Sequence, residues 1–230
     1  MTASPAGAPV IVFDVNETLL DLSALDPLFQ RRFADAGMRR LWFAQLLQTS
    51  LLQTVLEDYR DFGVCAAAAL DLLAARTGRR LDVGGREEIL SGLRTLPAHP
   101  EVPGALGKLA AAGLRLATLT NSSTDMVASQ LAAAGIDHCF EAVLSVDRVR
   151  RFKPARAVYD MAAQALGAAS ADLWLVAAHN WDTTGALAAD WNAAFVQRPG
   201  MALGPLDRTP TIVGRDLEDV ADGLLRCCSR

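Results

Sequence analysis

At 230 residues, with 51% hydrophobic and 21% charged side chains, the chain has the composition of a folded globular protein and not of a disordered one. A formal net charge of −4 argues against non-specific attachment to nucleic acid or to an anionic membrane surface. No apolar run approaches the ~18 residues that a membrane-spanning helix needs. Met1 to Pro9 holds no basic segment followed by a long apolar stretch, and is read as no secretory signal. The cysteines Cys65, Cys139, Cys227 and Cys228 form no C-x-x-C pair and are read as reduced thiols of a cytoplasmic protein.

The first predicted element is a strand at Val10 to Phe13, four β-prone residues with no polar alternation, as expected where both faces are covered. Further strands are predicted at Leu114 to Leu119, Ala142 to Leu144, Leu173 to Val176 and Ala193 to Val196, with a weaker one at Thr211 to Val213. Helical stretches lie between them: Ala105 to Ala112, Asp125 to Ala134, Ala155 to Leu166 and Thr183 to Ala189. Strands and helices alternating over short connections predict an α/β doubly wound parallel sheet.

Residues 23–97 break the alternation. They show no convincing strand, but Leu41, Leu47, Leu51, Leu52, Val55 and Leu56 fall near helical spacing. Two more helical stretches, Cys65 to Arg76 and Arg86 to Leu93, are separated by the turn signals around Gly78 and Gly84-Gly85. A segment of this length exceeds what a crossover needs. The expected organisation is a core of residues 1–22 and 98–230 with an inserted all-helical cap of residues 23–97.

In open α/β sheets, ligands bind outside the carboxyl ends of the strands. The residues to inspect there are Asp14, Thr120, Asn121, Lys153, His179 and Asp182. A carboxylate, an amide, an ammonium and a second carboxylate brought into one crevice suit nucleophilic catalysis by Asp14.

Four segments carry a resemblance. Phe13-Asp14-Val15-Asn16-Glu17-Thr18-Leu19-Leu20-Asp21, Leu119-Thr120-Asn121-Ser122, Phe152-Lys153-Pro154 and Trp181-Asp182 resemble, in order, the four motifs of the haloacid dehalogenase superfamily. The resemblance covers nearly the whole chain and implies the superfamily's Rossmann-like core with a cap. In the Mg²⁺-dependent phosphatases of that superfamily, an Asp two residues after the nucleophile protonates the leaving group; here Asn16 stands there, and an amide is no general acid. The carboxylate of the phosphatases' fourth motif aligns with Ala177-Ala178. The run Ala177 to Ala186, with Tyr159 and Leu41-Trp42, is similar instead to the metal-free (S)-2-haloacid dehalogenases, which implies no cofactor.

That resemblance implies hydrolysis of a short 2-haloalkanoic acid to the 2-hydroxy acid. Asp14 would displace halide and form an ester, which water then hydrolyses at the aspartyl carbonyl. Lys153 would hold Asp14 anionic. Asp182 would hold Lys153 and position or activate water. Thr18 and the backbone at Val15 and Asn16 would support the ester carbonyl. Asn121 would donate to the departing halide, Thr120 would position Asp14 or the substrate, and Trp181 would close the pocket. Tyr159, His179 and Asn180 are grouped with the substrate contacts, His179 being either a general base or a pocket wall.

The chain departs from the dehalogenase pattern at four places. Asn16-Glu17 replaces Tyr-Gly, Phe43 replaces an Arg that binds the substrate carboxylate, and Ala177 replaces a Ser. His179 replaces an Asn. Phe43 offers no carboxylate clamp. Arg39 and Arg40 are the nearest substitutes, and Arg40 shares a helical face with Phe43. The alternatives are a Mg²⁺-dependent phosphatase acting on a small phosphate ester, with Glu17 as a rescuing ligand, and a non-catalytic binding protein on the same scaffold. The expected partner is a small molecule, with no nucleic acid and no membrane. The resemblance also suggests a homodimer through Leu46 to Leu56. His99 and His138 are read as surface or turn residues.

Overall fold

The computed structural model describes residues 9–228. Residues 1–8, which carry most of the segment read as no secretory signal, lie outside the described residues. The first element among the described residues is β1 (Val10–Phe13), all four residues of which are buried. It continues through β2 (Arg115–Thr120), β3 (Ala142–Ser145), β4 (Leu173–Ala177), β5 (Asn192–Val196) and β6 (Ile212–Gly214). The strands form one sheet in the order β3-β2-β1-β4-β5-β6, and every pairing is parallel. This is the predicted doubly wound sheet.

The order reverses at β1, which pairs with β2 on one side and β4 on the other: Phe13 lies opposite Thr118 and Val176. The reversal opens a crevice at the carboxyl ends of those strands. The ladder carries one residue past β1, because the Asp14 amide still donates to Val176 O at 3.0 Å. Asp14 is thereby fixed at the crevice by backbone pairing.

Helices α1 (Asp26–Phe33), α2 (Met38–Val55), α3 (Phe62–Arg76) and α4 (Val83–Gly92) follow β1, joined by turns and loops, with a 3₁₀ turn before α1 and another after α4. Among residues 21–97 the structure contains only helices, turns and loops. The eight-residue α1 escaped the periodicity reading, although Pro27 in its first turn is a helix-start signal. Trp42 of α2 is fully buried, donates from Nε1 to Ala66 O at 3.0 Å and packs at 5.3 Å on Phe29, so α2 is pinned to both α1 and α3. A buried side chain of this kind contributes about 1.5–3 kcal/mol.

The remaining helices, α5 (Val102–Ala111), α6 (Thr124–Ala133), α7 (Arg156–Leu166), α8 (Asn180–Ala188) and α9 (Leu217–Cys228), alternate with the later strands. Ser123 caps α6 by accepting from Met126 N, and Gly167 ends α7 in the left-handed conformation. The sequence reading missed α9, which buries Leu217, Val220, Ala221 and Leu224 at helical spacing. None of the four cysteines is paired. Among the described residues, no helix is long and apolar enough to cross a membrane.

Candidate active site

Asp14, Lys153 and Asp182 meet at the crevice. Lys153 Nζ lies 2.8 Å from Asp14 Oδ1 and 2.5 Å from Asp182 Oδ2, and donates also to Leu119 O at 2.9 Å. All three side chains are nearly or fully buried. A lone buried ammonium would lose its proton, but two carboxylates offset the burial and push the Lys153 pKa up. Burial would raise the Asp14 pKa, yet the Lys153 and His179 charges outweigh it and hold the carboxyl well below the usual range. Asp182 is shifted the other way by burial and by the charge of Asp14, against the pull of Lys153. Asp14 is therefore held as an anion.

The second oxygen of Asp14 accepts from Thr18 Oγ1 at 2.7 Å, and Thr18 Oγ1 accepts in turn from the Ala178 amide at 2.9 Å. Behind Thr18, the buried Arg198 places Nη2 2.8 Å from Thr18 O and Nη1 2.5 Å from Glu101 Oε1. Arg198 was missed in the sequence, since it sits after β5 and far from any motif.

Asn121 Oδ1 accepts from the Lys153 backbone amide at 3.0 Å, which ties the loop after β2 to the lysine loop. Thr120 Oγ1 accepts from Ser122 N at 3.1 Å. Asn16 donates from Nδ2 to Ser122 Oγ at 3.1 Å and accepts from Gln130 Nε2 at 2.9 Å. Val15 O accepts from the amides of Leu19 and Leu20, closing the turn that carries Thr18.

A small cavity beside Asp14 is lined by Asn16, Phe43, Thr120, Asn121, His179 and Trp181, with Leu47 and Phe62 from the helical segment. Two groupings made from the sequence are corrected here. Tyr159 does not line this cavity: it is fully buried behind Asp182, donating to Asp182 Oδ1 at 2.7 Å, because α7 turns it toward α8. Asn180 also points elsewhere, donating to Asp207 Oδ2 at 2.9 Å.

Of the two arginines, Arg40 is exposed and lines a neighbouring cavity shared with Glu17, Phe43, His179 and Trp181, not the one beside Asp14. Arg39 is the buried one, held by Asp26 at 2.5 Å and by Glu17 at 3.3 Å. His99 is half-buried in the loop before α5.

His179 directly precedes α8 and sets its ring between Phe43 and Trp181, at centroid distances of 6.0 and 5.0 Å and interplanar angles of 24° and 22°. Its Nδ1 lies 3.1 Å from Asp14 Oδ2 and its Nε2 3.1 Å from Glu17 Oε2. Burial disfavours the imidazolium, but the two carboxylates outweigh it and push the His179 pKa up to about 9. Both ring nitrogens then donate. Glu17 holds its place at φ 61°, a left-handed conformation that costs a non-glycine residue about 1–2 kcal/mol.

Among the described residues, no group of three or more His, Cys, Asp or Glu is arranged to hold a metal ion. Asn16 is committed to Ser122 and Gln130, and the residues that end β4 are alanines, so the acid and the extra carboxylate of a phosphatase site have no counterpart.

A profile of the haloacid dehalogenase-like hydrolases matches residues 8–190. The chain belongs to that family. It is 30% identical to an (S)-2-haloacid dehalogenase of Pseudomonas sp. strain YL, over 87% of this chain and 87% of that protein. It is 29% identical to haloacetate dehalogenase H-2 of Moraxella sp. strain B, over 87% of this chain and 90% of the relative. Its fold matches the L-2-haloacid dehalogenase of Xanthobacter autotrophicus with chloropropionic acid covalently bound, at a TM-score of 0.88 and 25% identity, covering 95% of this chain and 98% of that one. As a haloacid dehalogenase-like hydrolase, the chain presents its buried charged trio at the crevice where such a sheet binds ligands.

Proposed function

We propose that this hydrolase converts short 2-haloalkanoic acids to 2-hydroxy acids through an ester on Asp14, with no metal ion taking part. The observation that carries the reading is the anionic Asp14, fixed at the end of β1 and held by Lys153 and Thr18 against a small cavity walled on one side by Phe43, Leu47, Phe62 and Trp181. A carboxylate so placed can attack a halogen-bearing carbon in line; dividing the displacement into ester formation and hydrolysis makes two easier steps. The relatives named for haloacids support the substrate class.

In this reading Asn121 and Trp181 face the departing halide, and Thr120 and Asn16 shape the cavity. Lys153 keeps Asp14 charged, while Asp182, braced by Tyr159, keeps Lys153 in place. Helices α1–α4 act as a cap that closes the cavity through Phe43, Leu47 and Phe62. Arg40, at the mouth next to the cavity, attracts the substrate carboxylate. Exposed Leu51, Leu52, Val55 and Leu56 along α2 form the contact of a homodimer, which a monomer mass by light scattering would refute.

The test is halide release from chloroacetate, fluoroacetate and both enantiomers of 2-chloropropionate, with EDTA present and Asp14→Asn as control. Release from the (S) enantiomer that survives EDTA and disappears in the variant supports the proposal. Release that needs Mg²⁺, or that persists without the Asp14 carboxylate, overturns it.

A further inference from the structure

Three of the positions at which the sequence departs from the dehalogenase pattern come together in space. Glu17, Phe43 and His179 are contributed by the turn after β1, by α2 and by the start of α8, and they form one assembly over Asp14. Glu17 Oε2 meets His179 Nε2 at 3.1 Å, His179 Nδ1 meets Asp14 Oδ2 at 3.1 Å, and the Phe43 ring stacks on the imidazole. The buried Arg39 steadies Glu17 from behind, itself fixed by Asp26. The result is an orienting carboxylate, an imidazole clamped between two aromatic rings, and a reacting carboxylate in line.

From this geometry we infer that His179 is the general base that activates water against the Asp14 ester, and that Glu17 is the positioning residue that holds its ring. The inference rests on the proposed ester reaction and assigns the base within it. The other candidate, Asp182, is poorly placed to act as a base, being 0% exposed with Oδ2 on Lys153 and Oδ1 on Tyr159. His179 instead lines the cavity and touches the carboxylate that carries the ester. A base within hydrogen-bond reach of the reacting group, directly or through one water, meets the geometric requirement.

The charges balance through the cycle. In the resting enzyme Asp14 is anionic and His179 is doubly protonated. Attack by Asp14 forms the carbon–oxygen bond, breaks the carbon–halogen bond and releases halide, leaving a neutral ester. One of the two carboxylates that stabilise the imidazolium has then lost its charge, so His179 releases a proton to solvent. Neutral His179 next takes a proton from water as the water oxygen bonds to Asp14 Cγ. Collapse of the tetrahedral species breaks the bond between Cγ and the ester oxygen; the departing oxygen takes the proton of the newly formed carboxyl group. Asp14 and His179 return to their resting charges, and the sum is haloacid plus water giving hydroxy acid, halide and one proton. The charged groups that face His179 are Asp14, Glu17 with Arg39 behind it, Lys153 across Asp14, and the exposed Arg40 across the neighbouring cavity; Phe43 and Trp181, the rings stacked on it, are uncharged.

The experiment uses the full chain with (S)-2-chloropropionate and the variants His179→Asn and Glu17→Gln. His179→Asn is expected to release about one equivalent of chloride per enzyme and then stall, with steady turnover lowered at least ~100-fold and the carboxyethyl ester visible by intact mass. That burst also shows the variant to be folded. Glu17→Gln is expected to keep turning over, with the acid limb of its kcat profile moved to lower pH because the imidazole has lost an anionic partner; a purely structural role for Glu17 would lower kcat without moving the limb. Wild-type turnover rates in His179→Asn with no accumulated ester would overturn the assignment while leaving the ester reaction intact. An unmoved limb in Glu17→Gln would remove Glu17 from it. Absence of halide release from the wild-type enzyme would instead contradict the proposed function itself.

Discussion

The hydroxyl of Tyr159 occupies the space that a side chain on Gly185 would need: a Cβ there would lie 2.5 Å from the Tyr159 hydroxyl and 2.5 Å from Pro154 Cβ. That approach lets α8 close on α7, so Tyr159 reaches Asp182, which in turn holds Lys153 on Asp14. Gly185→Ala must push the two helices apart. The expected loss is about 1–3 kcal/mol of stability, read as a lower urea midpoint, together with reduced kcat.

Lys153 compensates two buried carboxylates at once. Lys153→Met leaves Asp182 without its cation and Asp14 with His179 alone, and is expected to cost about 3–5 kcal/mol and to abolish halide release. Because Asp14 then loses one of its two cationic neighbours, its pKa should rise, detectable by carboxyl NMR titration. Lys153→Arg should not restore activity, since a planar guanidinium cannot take the place of a point charge within a space cut for Nζ.

Stability should depend on pH through His179. Its folded pKa of about 9 lies above the ordinary value of 6.5, so its contribution is complete below pH ~6.5 and is lost as pH rises through about 9. The shift corresponds to no more than about 3 kcal/mol. Urea midpoints between pH 6 and 10 should fall across that window in the wild type, and the fall should flatten in His179→Asn.

Asn16 is held by one bond it donates and one it accepts. Asn16→Asp sets another carboxylate near Asp14 and removes the donor to Ser122, so stability should drop by about 1–2 kcal/mol. No Mg²⁺-dependent hydrolysis of p-nitrophenyl phosphate should appear, because Ala177 at the end of β4 and Ala178 just after it still supply no carboxylate. Phosphatase activity in this variant would show that the site is one substitution from the other chemistry.

The strands were legible because buried parallel strands read as uninterrupted apolar runs, and Val10 to Phe13 is such a run. Asp14, Lys153 and Asp182 were legible because each ends or follows a strand at the crevice. Tyr159 was legible as part of the site but not in its role, since which way α7 faces is a matter of packing. The contact of Glu17 with His179 and the stack of Phe43 on His179 join residues more than a hundred positions apart, and no local pattern encodes them. Helix α9 was legible after all: Asp216 caps it by accepting from Asp219 N at 2.8 Å, and its apolar residues recur at helical spacing.

The ester on Asp14 is tested most directly by one turnover in heavy-oxygen water with enzyme in excess of (S)-2-chloropropionate. If Asp14 attacks carbon and water attacks the aspartyl carbonyl, the lactate formed carries ordinary oxygen at its new hydroxyl and the heavy oxygen is found in the Asp14 carboxylate. Heavy oxygen in the product hydroxyl on that first turnover would mean that water displaces the halide directly, and would contradict the account.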